Sequence, residues 1–225
     1  PRESSQLLCR PGDSHLYIFG GICQEPMTAM ATFETNPYRA KVRYQQLEKQ
    51  TMTGLERVKG VFGLGSCCYK GKFYYLFGGM GFNKSLKVRL CTAQVLEFDP
   101  ETRAFERVIL THKADRLLSE RRYVTTLLVG QKLLVLGGVS KYGYGLKELL
   151  CIDMETREWH EILVKGEGPG FVQSSAMCLV AYKERKTLKL DQLSDIQWHL
   201  VTKQISMEGI FVFGGIKGEQ PDLSI

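Results

Sequence analysis

The side chains of this 225-residue chain that could ligate, attack or shuttle protons are seven cysteines and four histidines. Cys9, Cys23, Cys67, Cys68, Cys91, Cys151 and Cys178 are odd in number and form no C-x-x-C pair. Neither a complete disulfide framework nor a standard zinc site is therefore expected. Five of them, Cys9, Cys67, Cys68, Cys91 and Cys151, lie in or beside strand-like segments, where a thiol serves as a small buried hydrophobe. That usage fits a reducing, intracellular compartment, and a cytoplasmic location is expected. The vicinal Cys67-Cys68 pair has the composition of a redox pair, but neighbours on a strand point to opposite faces. His15, His112, His160 and His199 are scattered, with no H-E-x-x-H and no nucleophile elbow. Gly63-Leu64-Gly65 and Gly166-Glu167-Gly168-Pro169-Gly170 do not continue into a helix as a phosphate-binding loop does, so turns explain both. No catalytic residue, metal or cofactor is expected, and the chain reads as a non-enzyme.

A second kind of chemistry is recognition. Two short stretches concentrate contact residues: Phe82, Asn83 and Lys84 in one, Lys141, Tyr142 and Tyr144 in the other, with Arg121 and Arg122 as neighbours. Tyrosine and arginine are common interface anchors. Their use depends on the elements that carry them, and those elements repeat.

Double glycines stand at Gly20-Gly21, Gly78-Gly79, Gly137-Gly138 and Gly214-Gly215, each after an apolar run such as Phe73-Tyr74-Tyr75-Leu76-Phe77. In the first three copies an apolar or small-residue segment and a tight turn precede that run, implying paired strands. After the glycines come a loop, a strand, a turn and a strand with an aromatic. The second and third copies share the frame Asp99-Pro100-Glu101-Thr102-Arg103 with Phe105 and Asp153-Met154-Glu155-Thr156-Arg157 with Trp159. Asp initiates the turn through its side chain, and the aromatic anchors the last strand. In the first copy the turn is Glu34-Thr35-Asn36-Pro37 and the aromatic position falls to Tyr44. Each copy is thus four short antiparallel strands.

Double glycine, turn frame and aromatic in register resemble the kelch repeat. The resemblance covers nearly the whole chain and implies an all-β, kelch-type β-propeller. Repeats run approximately over 1–59, 60–118, 119–166 and 167–225. The fourth holds an insertion at about 183–208, in which Ile196, Leu200, Val201 and Ile205 recur at mostly helical spacing behind Ser194 as a cap. That insertion is read either as a second docking element or as an elaborated linker. Kelch-like rings commonly have six or seven blades, so this chain is expected to be a piece of a longer one. The resemblance further implies that the innermost strands face a central channel. Loops 22–31, 80–91 and 139–147 would then share one face with the linkers 48–60, 109–120 and 165–170, the face such propellers use for partners.

The resemblance implies a scaffold or adaptor for protein partners, with a structural subunit of a cytoskeletal or ciliary assembly as the reading preferred here. A substrate-recognition subunit of a ubiquitin ligase is the alternative. A kelch-like copper oxidase would need His, Tyr and Cys at the ring centre, whereas the inner strands offer Cys9, Cys67, Cys68, Tyr69 and Tyr123 without a histidine. Composition agrees with a globular binding module: 44% hydrophobic and 24% charged residues, no apolar run long enough for a membrane-spanning helix, and a net charge of +6 without blocks of like charge. Neither a membrane nor nucleic acid is expected as a partner.

Overall fold

The computed structural model describes residues 3–23, 26–27, 30–35, 42–47, 53–54, 61–83, 85, 88–165, 172–180, 209–214 and 216–217. Every regular element among them is a strand. Three four-stranded antiparallel sheets form successive blades. The first contains Gln6–Cys9, His15–Phe19, Met30–Thr35 and Val42–Leu47; the second Gly65–Tyr69, Lys72–Leu76, Val95–Asp99 and Ala104–Val108; the third Thr125–Val129, Lys132–Leu136, Leu149–Asp153 and Trp159–Ile162. Strand order within each blade follows the chain from the innermost strand outward. Ala176–Val180 and Gly209–Phe213 pair as the inner strands of a fourth sheet. Innermost strands of successive blades lie side by side, as in a propeller. The insertion at 183–208 lies outside the described residues.

Beyond their first residue, His15, Lys72 or Lys132, the glycine strands of the three full blades are apolar because a blade is covered on both sides. Phe73 and Tyr75 point toward the first blade, joining Tyr17, Phe19, Met30, Leu96, Phe98 and Phe105. Tyr74 and Leu76 point toward the third, joining Cys67, Val95, Leu133, Val135, Ile152 and Trp159. Alternation on a strand therefore yields two cores from one run. Between the first two blades the rings of Phe19 and Tyr75 are 4.6 Å apart, those of Tyr17 and Phe73 4.8 Å, and those of Phe19 and Phe105 5.2 Å. Each buried aromatic contributes about 1.5–3 kcal/mol by the area it removes from water. Phe105 and Trp159, the anchors expected on the outer strands, both lie in these interfaces.

Glycine pairs end the second strands, but their register differs from the sequence alignment. Leu76 stands where Phe19 and Leu136 stand, each opposite the first residue of its inner strand. Phe77, not Gly78, is consequently the counterpart of Gly20 and Gly137, and Gly78 is the counterpart of Gly21 and Gly138. Phe77 adopts φ +63°, matching +68° at Gly20, +63° at Gly137 and +68° at Gly214. Aligning glycine letters had set Gly78 against Gly20; the backbone sets a buried phenylalanine there. At the second position the need for glycine is steric as well: a Cβ on Gly138 would meet Arg122 O at 2.8 Å, and one on Gly21 would meet Glu3 O at 2.9 Å. Gly215 lies outside the described residues.

Blades are joined by repeated backbone devices. Ser4, Gly63, Tyr123 and Ser174 each take φ between +53° and +60°, two residues ahead of an inner strand. Gly63 N donates to Ser4 O, Tyr123 N to Gly63 O and Ser174 N to Tyr123 O, at 2.7–3.0 Å, a hydrogen-bonded chain from blade to blade. Farther out, the linkers cover the outer edges. Thr53 pairs parallel with Ala104 and Thr111 with Glu158, which satisfies backbone groups an edge strand would otherwise expose. In the turn frames Asp99 and Asp153 each accept from two backbone N–H groups. Glu101 pairs with Arg10, and Glu155 with Tyr69 and Lys70, each on the preceding blade. The repeated Glu therefore ties neighbouring blades, a role its sequence context does not announce.

Candidate binding face

Strand 139–140 opens the best-defined loop on the glycine face. Val139 pairs with Arg122 and Ser140 with Arg121. The chain then reverses: Ser140 N donates to Tyr144 O at 2.9 Å, Gly143 N to Ser140 O at 3.1 Å, and Tyr144 N to Ser140 Oγ at 3.2 Å. Gly143 takes φ +90° to close the turn. Leu146 N to Gly138 O and Gly137 N to Glu148 O fasten the return to the blade. A short, internally bonded hairpin thus holds Tyr142 62% and Tyr144 46% exposed, with ring centroids 6.3 Å apart. Lys141 sits 5.4 Å from the Tyr142 ring centroid and 3.5 Å from Glu120. Two amphipathic rings and a cation are presented on a braced turn, at low ordering cost to a partner.

The two arginines separate. Arg121 is 1% exposed. Its Nη1 donates to Gly137 O at 3.2 Å, its Nε to Ser119 O at 3.3 Å and its Nη2 to Ser119 Oγ, while its guanidinium carbon lies 5.5 Å from the Phe77 ring centroid. Its own carbonyl accepts from Gly78 N. Arg121 therefore joins the second blade to the third from inside and offers no surface to a partner, unlike the expectation that both arginines face outward. Burial pulls its pKa down, opposed by Glu148 and Glu161. Arg122, half-buried, donates from Nη1 to Ser140 O at 3.0 Å and to Cys91 Sγ at 3.2 Å. Alternation along a strand puts the two side chains on opposite faces, and the neighbouring blade covers the face of Arg121.

Phe82 and Asn83 belong to Gly79–Asn83, paired with Val88–Cys91 through Phe82–Arg89 and Asn83–Val88. Lys84 lies outside the described residues. This loop is thus a second hairpin on the glycine face. The linker 109–120 departs from its expected place: Thr111 runs along the outer strand of the third blade, where Thr111 N bonds Arg157 O and Trp159 N bonds Thr111 O. Only the far end, at Glu120 and Arg121, reaches the glycine face.

Cys67, Cys91 and Cys151 are buried as expected, whereas Cys9 is exposed rather than buried, as are Cys23 and Cys178. Burial pushes Cys67 up to about 12, with Cys68 adding to the rise, and Cys68 is raised by its own burial. Cys67 packs into the core shared with the third blade and Cys68 into the core shared with the first, on opposite sheet faces. Among the described residues no three His, Cys, Asp or Glu side chains gather as metal ligands, and no helix is long and apolar enough to cross a membrane.

Comparison with known proteins agrees with this architecture. The family model described as the KLHDC2/KLHL20/DRC7 Kelch-repeats domain matches residues 2–188. Among solved structures, the one described as "Structure of YjhT" is similar at a TM-score of 0.57 and 16% identity, over 79% of this chain and 54% of that one. The likeness is one of fold, and this chain spans about half the length of that structure.

Proposed function

Because the chain belongs to the KLHDC2/KLHL20/DRC7 kelch-repeat domain family, we propose that it is a protein-interaction module that holds a partner on its glycine-loop face. The observation that carries this reading is the braced hairpin displaying Tyr142 and Tyr144. Aromatic anchors on a turn that is already ordered bind without a large entropy cost, so a small surface suffices. The module is a scaffold or adaptor without catalytic activity, located in the cytoplasm, and part of a six- or seven-bladed ring. Within that class we favour a structural subunit of a cytoskeletal or ciliary assembly over substrate recognition for a ubiquitin ligase, on the strength of the unequal repeat lengths and the insertion in the fourth repeat.

The test is quantitative cross-linking from Lys141 in native extract, comparing wild type with the Tyr142→Ala/Tyr144→Ala double variant. One protein enriched by wild type and lost with the double variant, at unchanged melting temperature, is expected. Equal recovery with both proteins would remove the hairpin from the interface.

A further inference from the structure

Ser119 holds a place between solvent and a buried charge, and we propose that it is a phosphorylation site whose phosphate docks on Arg121. The linker from 113 to 117 is exposed throughout, Leu117 at 94%, and Ser119 itself is exposed. No strand includes residues 113–120. Leu118 is half-buried against the core between the second and third blades, so a kinase takes this segment as an extended peptide once Leu118 lifts from that core, with the strands of the blade left paired. Arg116 stands three residues before the hydroxyl, a cation placed for a kinase cleft lined with carboxylates.

The receiving site is already built. Arg121 directs Nη2 at Ser119 Oγ and Nε at Ser119 O. Its nearest carboxylate oxygen, Glu148 Oε2, lies 3.6 Å away and is itself buried without a hydrogen bond. The guanidinium is thus a buried cation whose carboxylate partner stands beyond hydrogen-bond reach, and such a charge is under-compensated. A phosphate brings about −1.5 to −2 of charge and three strong acceptor oxygens, matched to the guanidinium fork. The chemistry is ordinary phosphoryl transfer. Ser119 Oγ attacks the γ-phosphorus of a nucleoside triphosphate, the bond to the bridging β-phosphate oxygen breaks, the nucleoside diphosphate leaves, and the hydroxyl proton passes to the kinase's base. This inference is independent of which partner the glycine face holds.

The experiment treats the folded chain with a serine kinase that selects arginine at the third position before the hydroxyl, plus ATP, and maps the product by mass spectrometry. Phosphate is expected at Ser119, absent from Ser119→Ala, with kcat/KM reduced on the order of tenfold in Arg116→Ala, as loss of one charge-assisted hydrogen bond implies. Phosphorus NMR of the product is expected to show a second phosphate pKa below its usual value of about 6, and the melting temperature to rise by about 2–4 °C. The NMR titration needs no variant at Arg121, whose buried side chain joins two blades. No phosphate at Ser119 under conditions that fully modify a free peptide of residues 113–122 would overturn the proposal, as would a phosphate that titrates at its ordinary value with unchanged melting.

Discussion

Replacing Phe77 by glycine separates two effects that oppose each other at one residue. Phe77 holds φ +63° where the neighbouring blades have Gly20 and Gly137, so glycine would relieve a left-handed conformation costing an L-residue about 1–2 kcal/mol. Against this, Phe77 is 1% exposed, within the core between the second and third blades. Truncating such a ring costs about 3–5 kcal/mol. It also strips the aromatic face from the buried Arg121 guanidinium, whose carbon stands 5.5 Å from the ring centroid. The net expectation is a loss of about 1–4 kcal/mol, the difference of those two ranges. Phe77→Ala supplies the control: it makes nearly the same cavity yet keeps the left-handed strain, so it should be less stable than Phe77→Gly by about 1 kcal/mol. That inverts the usual ranking of alanine over glycine. The assay is urea unfolding, read as a shift in midpoint at constant slope. A Phe77→Gly variant as stable as wild type would show that the ring contributes no more than the left-handed strain of about 1–2 kcal/mol that it offsets. Phe77→Ala equal to or better than Phe77→Gly would refute the left-handed assignment.

Other outcomes follow from single sites. Gly138→Ala should cost about 1–3 kcal/mol of overpacking beyond the left-handed penalty of about 1–2 kcal/mol. Gly130→Ala, with φ +59° and nothing within 4 Å of a new Cβ, should show that penalty alone; equal midpoints would sink the close-approach argument. Tyr75→Phe should stabilise the fold by about 1 kcal/mol, because its hydroxyl is buried with no hydrogen-bond partner; a clear drop in midpoint would mean that the hydroxyl is satisfied. Asp153 is held down at about 2, against an ordinary 3.8, by its hydrogen bond from Lys132 and then those from Thr156 N and Glu155 N. A depressed carboxylate adds stability that is complete above its unfolded pKa and is lost as pH falls through the folded one. Asp153→Asn should therefore flatten melting temperature against pH between 3.8 and about 2, and a profile identical to wild type would contradict the assignment.

Much of the architecture was legible because blades are built from local signals. Alternation in Phe73-Tyr74-Tyr75-Leu76, the Asp-initiated turns at Asp99 and Asp153, and the anchors Phe105 and Trp159 act over a few residues, and such short-range rules also set the antiparallel pairing within each blade. The glycine register was not legible, since a letter match placed Gly78 beside Gly20 while the backbone put Phe77 there. Only the ladder from Gly65 to Leu76 reveals which residue must turn left-handed.

The binding face divides in the same way. Residue types at Lys141, Tyr142 and Tyr144 pointed to recognition from the sequence alone. The contrast between Arg121 and Arg122 needed the third dimension, because two identical side chains on a two-residue strand differ only in which side of the strand meets the neighbouring blade. Likewise, Glu101 and Glu155 read as turn residues until the preceding blade brings Arg10 and Lys70 to them. Strand period and turn chemistry are local, so the blade could be read from the order of residues. Burial is a property of what stands across the interface, so which charges are buried, paired or offered to a partner emerged only in the folded chain.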